Sequence, residues 1–366
     1  MLDTGIKIIK QIPKVQIGYN AIDDFYLLKE HRLLEKPGIG IFFIDIFFQG
    51  KENVLSKLKI KSSDLSFYVD SFNEPTTSNI DGYIQSITDK IDKDDISFIC
   101  GFGGGTTLDT AKAVSNLLNN SGKASDYQGW DLLKNPGVYK IGIPTIFGTG
   151  AEATRTCVMT NKESGLKLGM NSEFTVFDQV LIDPKLASSV PTDQFFYTGM
   201  DAYIHCMEAL NGSYRNVLGD AYSRECINLC KEVFYSDDIK SQQSLEKLSV
   251  ASFLGGCSIA TSYVGVVHPF SAALSVVFGT HHCIANCIVM RAMDEFYESG
   301  YEEFWSMAFR NNISIPEGIA QNHNDEIYDQ LYKSTVIHSK PLTNALGKDF
   351  LQILTKEKVK EIFLRM

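Results

Sequence analysis

Asp201 and His205 stand four residues apart in a stretch whose apolar periodicity predicts a helix over 193–211. That spacing puts both side chains on one helix face, about one turn apart, where they can share one ion. His268 follows an apolar helical stretch and precedes Pro269, and the pair His281-His282 comes soon after, so four of the seven His fall between 205 and 282. One carboxylate and three imidazoles suit a borderline divalent ion such as Fe(II) or Zn(II), with a coordination position left for a substrate oxygen. Taken singly, a helical His is more often a core or surface residue, and spacing leaves open which of His281 and His282 would face the ion.

Two glycine-rich turns precede this cluster. In residues 97–112 an apolar strand runs into Gly103-Gly104-Gly105-Thr106 and then a helix carrying Asp109 and Lys112. Glycines let the backbone approach a phosphate closely, and the free N–H groups of a helix N-terminus favour an anion, so the turn is a plausible pyrophosphate cradle. It is not the G-x-G-x-x-G fingerprint. The second turn, Thr145 to Glu152 after Pro144, offers the Thr145 and Thr149 hydroxyls to a nucleotide; the other reading is a strand-to-helix turn capped by Thr149. Turns at the carboxyl ends of parallel strands converge on the crevice where open α/β sheets bind ligands. Asp45 ends the first convincing strand, where an acid accepts bonds from ribose hydroxyls and repels a 2′-phosphate, favouring NAD over NADP.

The elements that must carry these groups fall into two kinds. Short runs rich in Ile, Phe and Val at 39–45, 65–69, 96–100, 140–143 and 179–182 alternate with helical patterns at 78–91 and 108–118. Such alternation predicts a parallel sheet with helices on its faces. Beyond Asp183-Pro184 the pattern turns helical, with amphipathic stretches at 193–211, 216–234 and 244–262. The expected division is an α/β nucleotide-binding domain over 1–187 and an all-helical metal and substrate domain over 188–366.

The remaining composition narrows the class. A chain of 366 residues is too long for one ordinary core, and 44% hydrophobic with 21% charged residues reads as globular. A net charge of −10 without a basic stripe argues against a nucleic-acid partner. No signal peptide or membrane span is expected, and the eight Cys form no C-x-x-C pair, so reduced buried thiols and a cytoplasmic location are expected.

Together these motifs resemble the iron-containing, or group III, alcohol dehydrogenase family. The resemblance runs from the Gly18 loop through the two glycine turns and Asp183-Pro184 to the Asp201/His205 pair and the later His. It implies a Rossmann-like domain followed by an all-α domain, the dehydroquinate synthase-like fold. It assigns the metal to Asp201, His205, His268 and His282, with His281 a non-ligand. It assigns NAD contacts to Asp45, Gly103, Gly104, Gly105, Thr106, Asp109, Thr145, Thr149 and Lys167. Many members carry a further His four residues after the third ligand; here Ala272 stands there, and no side-chain base is assigned.

More narrowly, residues 125–136, 153–172, 195–206 and 262–283 are similar to the subgroup acting on 3-deoxy-D-manno-octulosonate (Kdo), whose members oxidise the C8 hydroxyl to an aldehyde that a PLP aminotransferase then aminates for lipopolysaccharide. Arg155 and Arg215 are the cations expected to meet the substrate carboxylate. The chemistry implied is an alcohol acidified by a Lewis-acidic ion, its hydride passing to nicotinamide, and a homodimer is the usual assembly. The competing classes are a lyase of the dehydroquinate synthase type, which regenerates its NAD, a non-catalytic sugar-acid-binding partner of an aminotransferase, and an oxidase using O2.

Overall fold

In the computed structural model, which describes residues 9–72 and 74–366, the chain divides into two units. The first takes in residues through 146 together with Ala151–Ser189, and the second Phe147–Gly150 with Val190–Met366.

Among the described residues the first unit is built on nine strands: β1 (Lys14–Ile17), β2 (Ile39–Asp45), β3 (Leu65–Val69), β4 (Ile96–Gly103), β5 (Gly129–Trp130), β6 (Lys140–Pro144), β7 (Thr156–Asn161), β8 (Leu166–Asn171) and β9 (Gln179–Ile182). Six form one sheet in the order β1-β9-β6-β4-β2-β3, every pair parallel. Parallel neighbours need crossovers, and the helices α1 (Phe25–Glu35), α2 (Glu52–Leu55), α3 (Thr77–Thr88) and α4 (Gly105–Leu118) fall within these connections. Because successive strand residues face opposite ways, Ile41 and Phe43 pack with Ile80, Ile87, Val114 and Leu117 on one side. Phe42 and Ile44 pack with Phe25, Phe98 and Phe102 on the other. Burial on both faces explains the unbroken apolar runs of β2 and β4.

Three features were not expected. β1 has every residue exposed, so no burial pattern marks it. β7 and β8 form an antiparallel hairpin that β5 joins in parallel. The second glycine turn therefore leads into this hairpin and not into a helix. The Gly18 loop and Asp183 meet: Gly18 N–H donates to the Ile182 carbonyl, and Asp183 accepts from the backbone of Asn20, Ile22 and Lys185.

The second unit holds only helices among the described residues: α5 (Thr192–Asn211), α6 (Val217–Phe234), α7 (Gln242–Ser262), α8 (Val267–Phe278), α9 (His282–Val289), α10 (Glu298–Arg310), α11 (Asp325–Val336), α12 (Ser339–Leu346), α13 (Phe350–Ile353) and α14 (Lys356–Leu364). The break lies after Ser189, two residues beyond the expected boundary, and Phe147–Gly150 crosses to the second unit. The reason is steric. A Cβ on Gly148, at φ 147°, would lie 1.6 Å from the Thr198 carbonyl oxygen of α5, so only glycine allows this backbone approach. No single described helix is long and apolar enough to cross a membrane, and all eight cysteines are buried.

Candidate metal centre and nucleotide-binding turns

Helix α5 is buried on every side from Phe195 to Ala209. Within that length it carries Asp201, His205 and Glu208, and polar groups so enclosed must find partners. Asp201 and Glu208 are fully inaccessible and His205 nearly so.

Two turns bring the other imidazoles to this face. Between α7 and α8 the chain bends by 104°, with Tyr263 at φ 60°, a conformation an aromatic residue rarely adopts. Asn344 straps the bend, donating to the carbonyls of Ser262 and Val264, and His268 follows in the first turn of α8. Gly279, in the left-handed region at φ 69°, ends α8 through its N–H to Ser275. The chain then enters α9, where His281 is the N-cap and His282 the first helical residue.

Nε2 of His205 and Nε2 of His268 each lie 3.4 Å from Asp201 Oδ1, and Nε2 of His282 lies 3.7 Å from Asp201 Oδ2. The His205 and His268 rings stack at 4.6 Å, and His268 and His282 are 5.5 Å apart. The donor atoms of Asp201, His205 and His268 fall within 4.8 Å of one another. Bonds of about 2.1 Å to a tetrahedral ion place ligand atoms about 3.4 Å apart. The donor spacing and the donor chemistry both fit a divalent ion.

Electrostatics agree with an acid among imidazoles. Burial raises the Asp201 pKa, but His205, His282 and His268 outweigh it and hold the carboxyl well below its usual range. Burial lowers His205 to about 4 despite Asp201, leaving a neutral ring with a lone pair. For His268, burial also opposes the charge, but Glu208 and Asp201 push it up to about 9.

Two neighbours escaped the sequence reading. Glu208 accepts from Val267 N–H at 2.5 Å and meets Nδ1 of His268. Asn286 Nδ2 donates to Asp201 Oδ1 at 2.7 Å and stands 3.5 and 3.3 Å from Nε2 of His268 and His282. Their signal was present: Glu208 is three residues past His205 and Asn286 four past His282, the same-face spacings that pick out Asp201 and His205. Ala272, one turn past His268, is buried and carries no proton acceptor.

In the first unit, β4 ends at Gly103 and α4 begins at Gly105, with Thr145 N–H bonded to the Gly103 carbonyl. A Cβ on Gly103 would lie 2.7 Å from the Thr107 side chain and 2.8 Å from Asp45 Cβ. The turn and the acid at the end of β2 are therefore adjacent. Asp45 Oδ1 accepts from Phe47 N–H and Ser71 Oγ. Beside it a cleft of about 400 Å³ is lined by Phe47, Phe48, Lys51, Val54 and Lys185 among others.

Other assigned residues have internal partners. Asp109 accepts from Val158 N–H while its Oδ1 is buried without a partner among the described residues, and burial raises it to about 6 against the pull of Lys112. Lys112 is buried, donating to the Thr154 carbonyl and hydroxyl and to the Thr156 carbonyl. Lys167 is held by Glu74 at 2.8 Å. Thr106 is half-buried in the first turn of α4, and Thr149 lies in the segment that joins the second unit. Arg155 pairs with Asp131, and Arg215 forks onto Asp220 while bonding the Leu210 carbonyl. A substrate carboxylate would have to compete with those aspartates.

Comparison with known proteins places this geometry in context. Residues 42–184 match the family model described as iron-containing alcohol dehydrogenase, and residues 195–333 match that described as Fe-containing alcohol dehydrogenase family, C-terminal. A sulfoacetaldehyde reductase of Bilophila wadsworthia is 32% identical over 222 residues, covering 60% of this chain and 56% of that protein. The match thus spans little more than half of the relative's length. Among solved structures, an alcohol dehydrogenase from Oenococcus oeni shares the fold with a TM-score of 0.82 at 20% identity, covering 98% of this chain and 99% of that one. A sulfoacetaldehyde reductase from Bifidobacterium kashiwanohense in complex with NAD+ has a TM-score of 0.81 at 17% identity, with 98% of each chain covered.

Proposed function

Because this chain belongs to the iron-containing alcohol dehydrogenase family, we propose that it oxidises a primary alcohol to an aldehyde with NAD, at a divalent-metal site formed by Asp201, His205, His268 and His282. The observation that carries this reading is the set of imidazole nitrogens 3.4 to 3.7 Å from one buried carboxylate. A bound Fe(II) or Zn(II) supplies Lewis acidity that lowers the pKa of an alcohol oxygen, and NAD supplies the hydride acceptor.

The protein's own groups do the rest. Asp201 brings the negative charge that offsets a divalent cation, and the three Nε2 atoms bring nitrogen donors, that of His268 once an ion displaces its proton. Asn286 holds Asp201 Oδ1 in place. With Ala272 one turn beyond His268, no imidazole stands at that position to take the alcohol's proton, which passes to another group or to solvent. In the first unit the glycine turn and the first N–H groups of α4 take the pyrophosphate, with Thr106, Asp109 and Thr145 beside them. Asp45 takes the ribose hydroxyls and excludes a 2′-phosphate, and Lys167, steadied by Glu74, serves the nicotinamide ribose.

The substrate in this reading is Kdo, oxidised at C8 to an aldehyde that a PLP aminotransferase consumes. Its support is the similarity of residues 125–136, 153–172, 195–206 and 262–283 to the subgroup with that activity. The test is a panel of primary alcohols, diols and sugar acids with NAD and added Fe(II) or Zn(II), following NADH and oxygen together. Kdo should give NADH and an aldehyde with a higher kcat/KM than simple alcohols. Substrate loss without net NADH would make the protein a lyase, and oxygen uptake without NADH an oxidase.

A further inference from the structure

We propose that Glu208 is the positioning residue of the metal centre: its carboxylate fixes the proton of His268 on Nδ1 and so presents the Nε2 lone pair to the ion. The inference rests on the metal-site reading above and extends it to a residue that binds no metal itself.

Glu208 lies on the ligand helix α5 and is fully buried. Among the described residues its one ion-pair partner is His268. Its two oxygens have separate tasks: Oε1 accepts from Val267 N–H at 2.5 Å, and Oε2 meets His268 Nδ1. The fit is close, since a Cβ on Gly265 would lie 2.3 Å from Tyr297 Oη and 3.3 Å from Glu208 Oε1. An ionised carboxylate only accepts hydrogen bonds, so the proton in the Glu208–His268 contact comes from Nδ1. A neutral ring then has its lone pair on Nε2, the atom 3.4 Å from Asp201 Oδ1. His205 has no equivalent, because its Nδ1 is buried without a partner among the described residues. A carboxylate behind a ligating His sets its tautomer and orientation, and its loss typically weakens metal binding about 10- to 100-fold.

Glu208→Gln tests this because Gln keeps the volume but has one accepting and one donating end. Val267 N–H takes the carbonyl, so the amide NH2 faces His268 Nδ1, which must then accept. That moves the ring proton to Nε2, where the ion should bind. Co(II) is the probe, read by its visible absorption and by chelator competition. Nitrogen-15 NMR of the protein before metal addition, at a pH high enough for the His268 ring to be neutral, reads the tautomer.

The expected result is Nδ1–H at His268 in the wild type, Nε2–H in Glu208→Gln, and Co(II) affinity about 10- to 100-fold weaker in the variant. Glu208→Asp, still an acceptor, should keep Nδ1–H and bind more tightly than Glu208→Gln. Equal Co(II) affinity in wild type and Glu208→Gln overturns the inference while leaving the metal centre intact. Wild type that binds no Co(II) overturns the metal centre itself. Should Glu208→Gln not fold, a neutral His268 ring in the wild type with its single proton on Nε2 rather than Nδ1 is enough to overturn the proposal.

Discussion

Replacing His282 by Ala, with His281→Ala beside it, separates two adjacent imidazoles by their geometry. His282 Nε2 lies 3.7 Å from Asp201 Oδ2, whereas His281 is the N-cap residue whose carbonyl accepts from Ala285 N–H. Four-ligand zinc sites are worth roughly 10–16 kcal/mol, so one ligand contributes about 3 kcal/mol, or about 10²-fold in Kd. At Zn(II) 100-fold above the wild-type Kd, binding stabilises the wild type by about 2.7 kcal/mol. With Kd raised about 100-fold, His282→Ala gains only about 0.4 kcal/mol at the same concentration. The His282 side chain is 26% exposed, so with chelator present its removal should cost under about 1 kcal/mol. Urea unfolding of the three proteins, with chelator and with Zn(II), reads the difference of about 2 kcal/mol directly. A full Zn(II) gain in His282→Ala, or its loss in His281→Ala instead, would refute the assignment.

Gly103→Ala drives a methyl into Thr107 and Asp45; it should cost about 1–3 kcal/mol and weaken NAD by at least about 10-fold, with Zn(II) affinity unchanged, as calorimetry with each ligand will show. Lys112→Met removes the ammonium shared by the Thr154 carbonyl and hydroxyl and the Thr156 carbonyl, the last of which keeps the Thr154 hydroxyl, an expected loss of about 3 kcal/mol in urea denaturation. Asp109 is raised to about 6, with burial the main cause, so between about pH 4 and pH 6 the folded state holds the proton that the unfolded chain releases. Its contribution is full below about pH 4 and falls by at most about 3 kcal/mol as pH rises through 6. The stability difference between wild type and Asp109→Asn should therefore shift in that direction across this range, and a pH-independent difference would count against the buried acid.

The alternation of apolar runs and helical patterns was legible because both faces of the parallel sheet are buried: β2, β3 and β9 match the sequence-predicted spans residue for residue. β1 was not read because its polar-apolar alternation, Lys14-Val15-Gln16-Ile17, runs for only four residues, all of them exposed. The β7–β8 hairpin escaped for a related reason, its residues alternating between buried and half-buried beside a turn that reads as the start of a helix. In the metal centre, Asp201 and His205 were readable as a pair because one helix sets their separation.

By itself the sequence determined what is local: the periodicity of the elements, the carboxylate and imidazole one turn apart, and glycines where a strand runs into a helix. Tertiary structure alone decided which groups from distant segments meet. The bend at Tyr263 and the cap at Gly279 bring His268 and His282 to Asp201, and burial of α5 puts the Glu208 carboxylate behind His268. Such meetings depend on the packing of separate helices, which no spacing along the chain encodes. The same holds for Phe147–Gly150, which sequence order assigns to the first unit and a close glycine contact with α5 assigns to the second.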